Sequence, residues 1–154
     1  MKEDWPKEKR WKDVYTRSEK VHRAKQLGME YPLQSQNEQL GRESLNVLFI
    51  CSMNKWRSPT AERIYSRRHL VNTRSAGTSR KARRHVSLHD IKWADVVIVM
   101  ERKHKQRLMA DHPEAMRYLE VHVLEIEDRY SFMDPELIQE LTEAIDPILD
   151  ANRQ

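Results

Sequence analysis

The apolar residues of this chain fall into a few short clusters, separated by charged stretches. The run LNVLFIC, residues 45–51, is nearly continuous, as expected of a parallel strand buried on both faces. ADVVIVM, residues 94–100, has the same character. VNTRSAGT, residues 71–78, predicts a shorter strand ending at Gly77, and YLEVHVLEI, residues 118–126, alternates as a fourth strand. Helical patterns lie between them. SPTAERIYSRRHL, residues 58–70, opens with Ser58 as an expected N-cap and Pro59 at the first helical position. SLHDIKWA, residues 87–94, has Ser87 and Asp90 at capping-box spacing. ERKHKQRLMADH, residues 101–112, predicts a charged helix stopped by Pro113. EDRYSFMD, residues 127–134, reads as a loop. PELIQELTEAIDPILDAN, residues 135–152, reads as a helix capped by Asp134, with Leu137, Leu141, Ile145 and Ile148 on one stripe. Strands alternating with helices predict an α/β fold, a parallel sheet covered by helices on both faces.

The first 44 residues differ. Trp11, Val14, Tyr15, Val21, Ala24 and Leu27 recur at helical spacing in a mostly charged background. They predict a helix over about residues 7–27, packed on the domain or held ready for a partner. Residues 31–46, broken by Pro32 and Gly41, read as a linker. The organisation expected is an N-terminal extension, residues 1–44, and one domain, residues 45–154.

Composition narrows the function. Of 154 residues, 34% are charged and the formal net charge is +4, which suits a phosphorylated or polyanionic partner. One cysteine makes neither an internal disulfide nor a Cys-x-x-Cys metal site, and it fits a reducing cytoplasm. No secretory leader and no stretch long enough to span a membrane is expected. His85 and His89, four residues apart, lack a third ligand at metal spacing. His104 and His112 read as surface positions, and Trp93, beside a buried strand, as core.

The chemistry concentrates in CSMNKWRSP, residues 51–59. The lone cysteine ends a buried strand and an arginine stands six residues on, just before a helix. Backbone N–H groups of Ser52, Met53, Asn54, Lys55 and Trp56 can converge in such a turn. With the helix N-terminus they make a cup for a tetrahedral dianion. Arg57 completes it with a bidentate fork, and Ser58 can hydrogen-bond the sulfur. The same field stabilises an anionic sulfur, placed to attack phosphorus and form a phosphocysteine. The leaving oxygen then needs a proton, and Asp128 and Asp134 are the candidate acids.

VLFICSMNKWRSPTAE resembles the signature of the low-molecular-weight protein tyrosine phosphatases, V-L-F-V-C-x-G-N-x-x-R-S-P-x-A-E. The resemblance extends over about residues 45–150 through RSAGTS, WADVVIVME and IEDRYSF. It implies a four-stranded parallel sheet, no metal and no organic cofactor, and a phosphotyrosine protein as substrate. It makes Cys51 the nucleophile, Arg57 the phosphate ligand and Asn54 the holder of the loop's shape, braced by Ser75. Ser58 bonds the thiolate, Asp128 is the general acid, and Tyr130 flanks the substrate. Glu101 replaces the family's aspartate. Met53 replaces a glycine, and is accommodated only if its φ stays negative. Trp56 stands where a second cysteine often sits. The segment between SAGTS and WADVV is short and basic, and Arg83 and Arg84 within it are candidate substrate contacts. Three alternatives follow: a phosphatase for a polyanion such as a nucleic-acid phosphate end, an arsenate reductase-like enzyme, and a phosphate-recognition module without turnover.

Overall fold

The structure, a computed structural model, describes residues 44–152, so the helix expected near residues 7–27 lies outside the described residues. Strands β1 (Leu45–Cys51), β2 (Val71–Gly77), β3 (Val96–Val99) and β4 (Glu120–Val123) form one sheet of order β2-β1-β3-β4. All three pairings are parallel, as the alternation of strands and helices predicts. The helices are α1 (Arg57–Tyr65), α2 (Leu88–Trp93), α3 (Arg102–Asp111), α4 (Pro113–Met116) and α5 (Pro135–Ala151).

Side chains alternate across a strand, so the unbroken apolar run of β1 feeds two cores. Val47, Phe49 and Cys51 face a cluster with Ala61 and Tyr65 of α1 and with Leu137, Leu141, Ile145 and Leu149 of α5. Leu48 and Ile50 face the other side, with Ile91, Leu108 and Met116 from α2, α3 and α4. Each such aliphatic side chain contributes about 1.5–3 kcal/mol by leaving water. Edge strand β4 is only half-buried. The chain leaves β1 toward β2 and later crosses to β3 on the other side. That reversal opens a crevice beyond the carboxyl ends of the strands, and Cys51 ends β1 there.

Several local expectations hold. Ser87 and Asp90 form the reciprocal capping box of α2, and Asp134 caps α5, accepting from Glu136 N–H at 2.8 Å. Three differ. Helix α1 begins at Arg57 with Trp56 at its cap position, so Ser58 is not the N-cap and its hydroxyl is directed elsewhere. Pro113 stops α3 but also begins the single turn α4, since proline is well suited to a first helical turn. The buried stripe of α5 ends on Leu149, with Ile148 at its margin. Among the described residues no helix is long and apolar enough to cross a membrane.

Candidate active site

Residues 51–58 close into a loop whose polar groups point at one sulfur. The Asn54 N–H donates to Cys51 Sγ at 3.2 Å, and Ser58 Oγ lies 3.0 Å from it. Asn54 Nδ2 donates to Ser58 Oγ and to Ser75 Oγ, both at 2.9 Å. Because Ser58 Oγ accepts from the amide, its own hydrogen is left for the sulfur at 3.0 Å or, at 3.5 Å, for Ala76 O. Ser75 in turn donates to Glu62 Oε1 at 2.5 Å. Asn54 has φ of 57°, in the left-handed region where asparagine is among the better-tolerated side chains. These amide bonds hold that conformation in a buried setting. Met53 stays outside the left-handed region, the condition under which a Cβ is accommodated there.

Gly77 makes the close approach possible. A Cβ there would lie 2.4 Å from Ser52 O and 3.0 Å from Asn54 N. The residues after Gly77 then lace to the loop: Thr78 N–H donates to Cys51 O, Ser79 N–H to Ser52 O and Arg83 N–H to Met53 O.

Arg57 is 1% exposed, unusual for a guanidinium, and its charge is met inside. Its Nη1 donates to Glu101 Oε2 at 2.7 Å and to Ile126 O at 2.8 Å. Burial pushes the Glu101 carboxyl up, but the Arg57 guanidinium and the Lys103 ammonium outweigh it and hold the group below its usual range. Arg57 Nε faces Asp128 Oδ1 at 3.7 Å, and Asp128 is about half exposed at the mouth. Thus Cys51, Arg57, Ser58, Asn54, Ser75 and Asp128 gather at one place. Asp134 is a helix cap.

His104 is buried, not a surface residue. Its Nδ1 accepts the Glu101 N–H at 3.0 Å, so the ring proton sits on Nε2, 2.8 Å from Ser52 Oγ. Burial, then the neighbouring Arg57 charge, lowers its pKa from 6.5 to about 4. It therefore stays neutral and a hydrogen-bond donor.

One other expectation is corrected. Tyr130 is buried in the α1/α5 core, its ring under the Arg129 guanidinium and its hydroxyl donating to Glu140. It does not flank the mouth. The exposed aromatics nearby are Trp56 and Phe132, which with Lys55, Arg63 and Arg83 border a groove of about 530 Å³. Arg84, though 43% exposed, is bonded to the fold, donating to Ser75 O at 2.7 Å and Asp90 Oδ1 at 2.5 Å. Arg83 is tied through Nε to Asn54 O at 3.0 Å but still lines that groove. The basic segment is thus partly a brace for the loop.

Glu101, His104, Glu62 and Gly77 were not legible as site residues. A signal existed for the first two: Glu101 directly follows a buried strand at the carboxyl edge of the sheet, and His104 stands at its capping-box spacing.

No protein-family model matches the chain, and no curated protein matches it. Solved structures do. An arginine phosphatase from Geobacillus stearothermophilus, YwlE, is similar at 21% identity and a TM-score of 0.56, over 71% of this chain and 93% of that one. The tyrosine phosphatase Wzb from Escherichia coli K30, in complex with phosphate, is similar at 22% and 0.56, over 69% and 96%. A low-molecular-weight protein tyrosine phosphatase from Streptococcus pyogenes is similar at 16% and 0.54, over 70% and 92%. The described domain has the fold of the low-molecular-weight protein tyrosine phosphatases.

Proposed function

We propose that residues 45–154 form a cysteine-dependent phosphomonoesterase, with residues 1–44 as an appended segment. The observation that carries this is the sulfur of the lone cysteine, met by the Asn54 N–H and the Ser58 hydroxyl beside a buried arginine. An inert structural cysteine needs none of these. Arg57 and the loop amides bind the phosphate oxygens and stabilise charge on them as phosphorus changes hands. Cys51 attacks phosphorus in line. The P–O bond to the leaving group breaks, and Asp128 gives its proton to that oxygen. The product is a phosphocysteine, an intermediate that splits the reaction into two easier steps. Asp128, now a carboxylate, takes a proton from water as the water oxygen attacks phosphorus. The P–S bond breaks, Ser58 stabilises the departing sulfur, and inorganic phosphate leaves.

The substrate we assign is a phosphorylated protein, phosphotyrosine by resemblance, in a reducing cytoplasm. The groove between Trp56 and Phe132 takes the substrate's apolar body. Phosphate release from p-nitrophenyl phosphate tests the assignment: wild type turns over, Cys51→Ser falls to background, orthovanadate inhibits and EDTA does not. Phosphate binding without turnover would make the domain a recognition module. Arsenate reduction coupled to an external thiol would make it a reductase.

A further inference from the structure

A hollow of about 590 Å³ adjoins the catalytic loop on the side away from Trp56 and Phe132. Its walls are the turn after β2 and the exposed side of α3. Arg80, Lys103 and Arg107 supply positive charge, and Ser52, Thr78 and Ser79 supply hydroxyls. Arg80 has no ion-pair partner among the described residues. Arg107 pairs with Asp111 at 2.8 Å and Lys103 with Glu101 at 3.4 Å. The Arg107 pair is exposed on both sides, and such pairs hold weakly and exchange readily for a better anion, whereas Lys103 is exposed but its partner Glu101 is three-quarters buried beside Arg57. Arginine forks and hydroxyls together are phosphate-recognition chemistry.

The hollow is fixed to the cup rather than merely near it. Ser52, the residue after Cys51, lines it, and Thr78 and Ser79 are tied by their N–H groups to the carbonyls of Cys51 and Ser52 at 2.9 and 3.0 Å. His104 Nε2–H is directed at Ser52 Oγ, so the Ser52 hydroxyl keeps its own hydrogen for a second acceptor.

Resting on the phosphatase reading above, we propose that this hollow is a second phosphate subsite, and that the enzyme prefers protein segments carrying a second phosphorylated residue beside the scissile one. A nucleic-acid end fits less well. Single strands bind through aromatic platforms on which bases stack, and among the residues lining this hollow the one ring is buried His104.

The test uses matched peptides in the full chain: one phosphotyrosine, the same with a phosphoserine one to three residues to either side, and a 5′-phosphorylated oligonucleotide of similar length. We expect kcat/KM to be about tenfold higher for the best doubly phosphorylated peptide, the worth of one or two charge-assisted hydrogen bonds. Arg80→Ala with Arg107→Ala should erase most of that advantage while costing the singly phosphorylated peptide far less. Binding of the same peptides to Cys51→Ser, followed by fluorescence anisotropy, reads the subsite even if turnover is absent. A tenfold affinity gap there with no wild-type catalysis would defeat the phosphatase reading and leave the subsite standing. Equal rates and equal affinities for singly and doubly phosphorylated peptides would overturn the subsite, as would an advantage that survives the double substitution. An oligonucleotide favoured over every peptide would overturn the choice of substrate class.

Discussion

Two loops meet at the carboxyl edge of the sheet, and they are built in opposite ways. In residues 51–58 the polar side chains of Asn54, Arg57 and Ser58 are buried and cross-bonded, and the adjoining strand and turn pin their backbone. The segment that carries Asp128, residues 125–134, is mostly exposed. It is anchored by Ile126 N–H to Met100 O, by Met133 N–H to Thr60 Oγ1, and through the ion pair of Asp128 with Arg57. Glu125 and Met133, at its two ends, both have positive φ. The first loop is preorganised for an anion, so little reorganisation is needed when charge develops. On the proposed reading the second holds an acid that must meet leaving groups of different shape. Two side chains join them: Thr60 Oγ1 donates to Trp56 O and accepts from Met133 N–H, and Arg57 of the first loop reaches Ile126 O and Asp128 of the second.

The largest effect should come from breaking the Arg57 link. Arg57→Ala removes the fork that binds phosphate and leaves Glu101 facing a void. We expect kcat/KM for p-nitrophenyl phosphate to fall by about 10²–10³, the range for losing one donor to a developing oxyanion. A loss below about tenfold, within the weakest charge-assisted range, would mean that the loop amides do the binding alone.

Next comes the acid. Asp128→Asn should lower turnover by about 10²-fold or more on a poor leaving group such as phenyl phosphate, and much less on p-nitrophenyl phosphate, whose phenolate leaves without a proton. Asp134→Ala should show no such dependence on the leaving group and only a lost helix cap, about 1 kcal/mol of stability by urea unfolding. A leaving-group dependence in the Asp134 variant would transfer the acid's role to that residue.

Gly77→Ala sharpens the contrast from the structural side. The new Cβ would press on backbone atoms of Ser52 and Asn54, which have no free rotor to turn away. We expect a loss of about 2–3 kcal/mol in stability together with impaired phosphate binding. An alanine at exposed Ser131, in the other loop, should change stability by no more than about 0.5 kcal/mol.

The difference between the loops also explains what could be read in advance. The four strands and their parallel class follow from apolar periodicity and the alternation with helices, because a strand buried on two faces has few alternatives; the order β2-β1-β3-β4 does not. The loop of residues 51–58 was legible because its residues are adjacent in sequence. Glu101 and His104 were not, since they reach the loop through the topology, 44 and 52 residues from Arg57 and Ser52. A charged stretch of helix hides a buried histidine well. Tyr130 shows the reverse error: position within a loop does not say which way an aromatic ring turns. Here an apolar core and the Arg129 guanidinium draw it inward.

The last effect is read from pH rather than from rate, and it separates the neutral, buried state of His104 from an exposed one. The native pKa of about 4 lies below the ordinary 6.5, so the unfolded chain binds this proton first as pH falls. Full stability from this group is therefore present above about pH 6.5 and drains away toward pH 4, by up to about 3 kcal/mol at roughly 1.4 kcal/mol per pH unit. The groups facing the ring, Arg57, Glu101, Lys103 and Asp128, set the balance of charge around it. The carboxyls of Asp90 and Glu101, both held below their usual range, add losses of the same sign only at lower pH. Between pH 6.5 and 5 the slope should thus be mainly that of His104. Urea midpoints for wild type and His104→Gln at pH 7, 6 and 5 check this. Glutamine keeps a donor for Ser52 but does not titrate, so its curve should be nearly flat over that interval. Parallel curves would show that the imidazole is solvated, and with it the hydrogen bond that orients Ser52 beside Cys51.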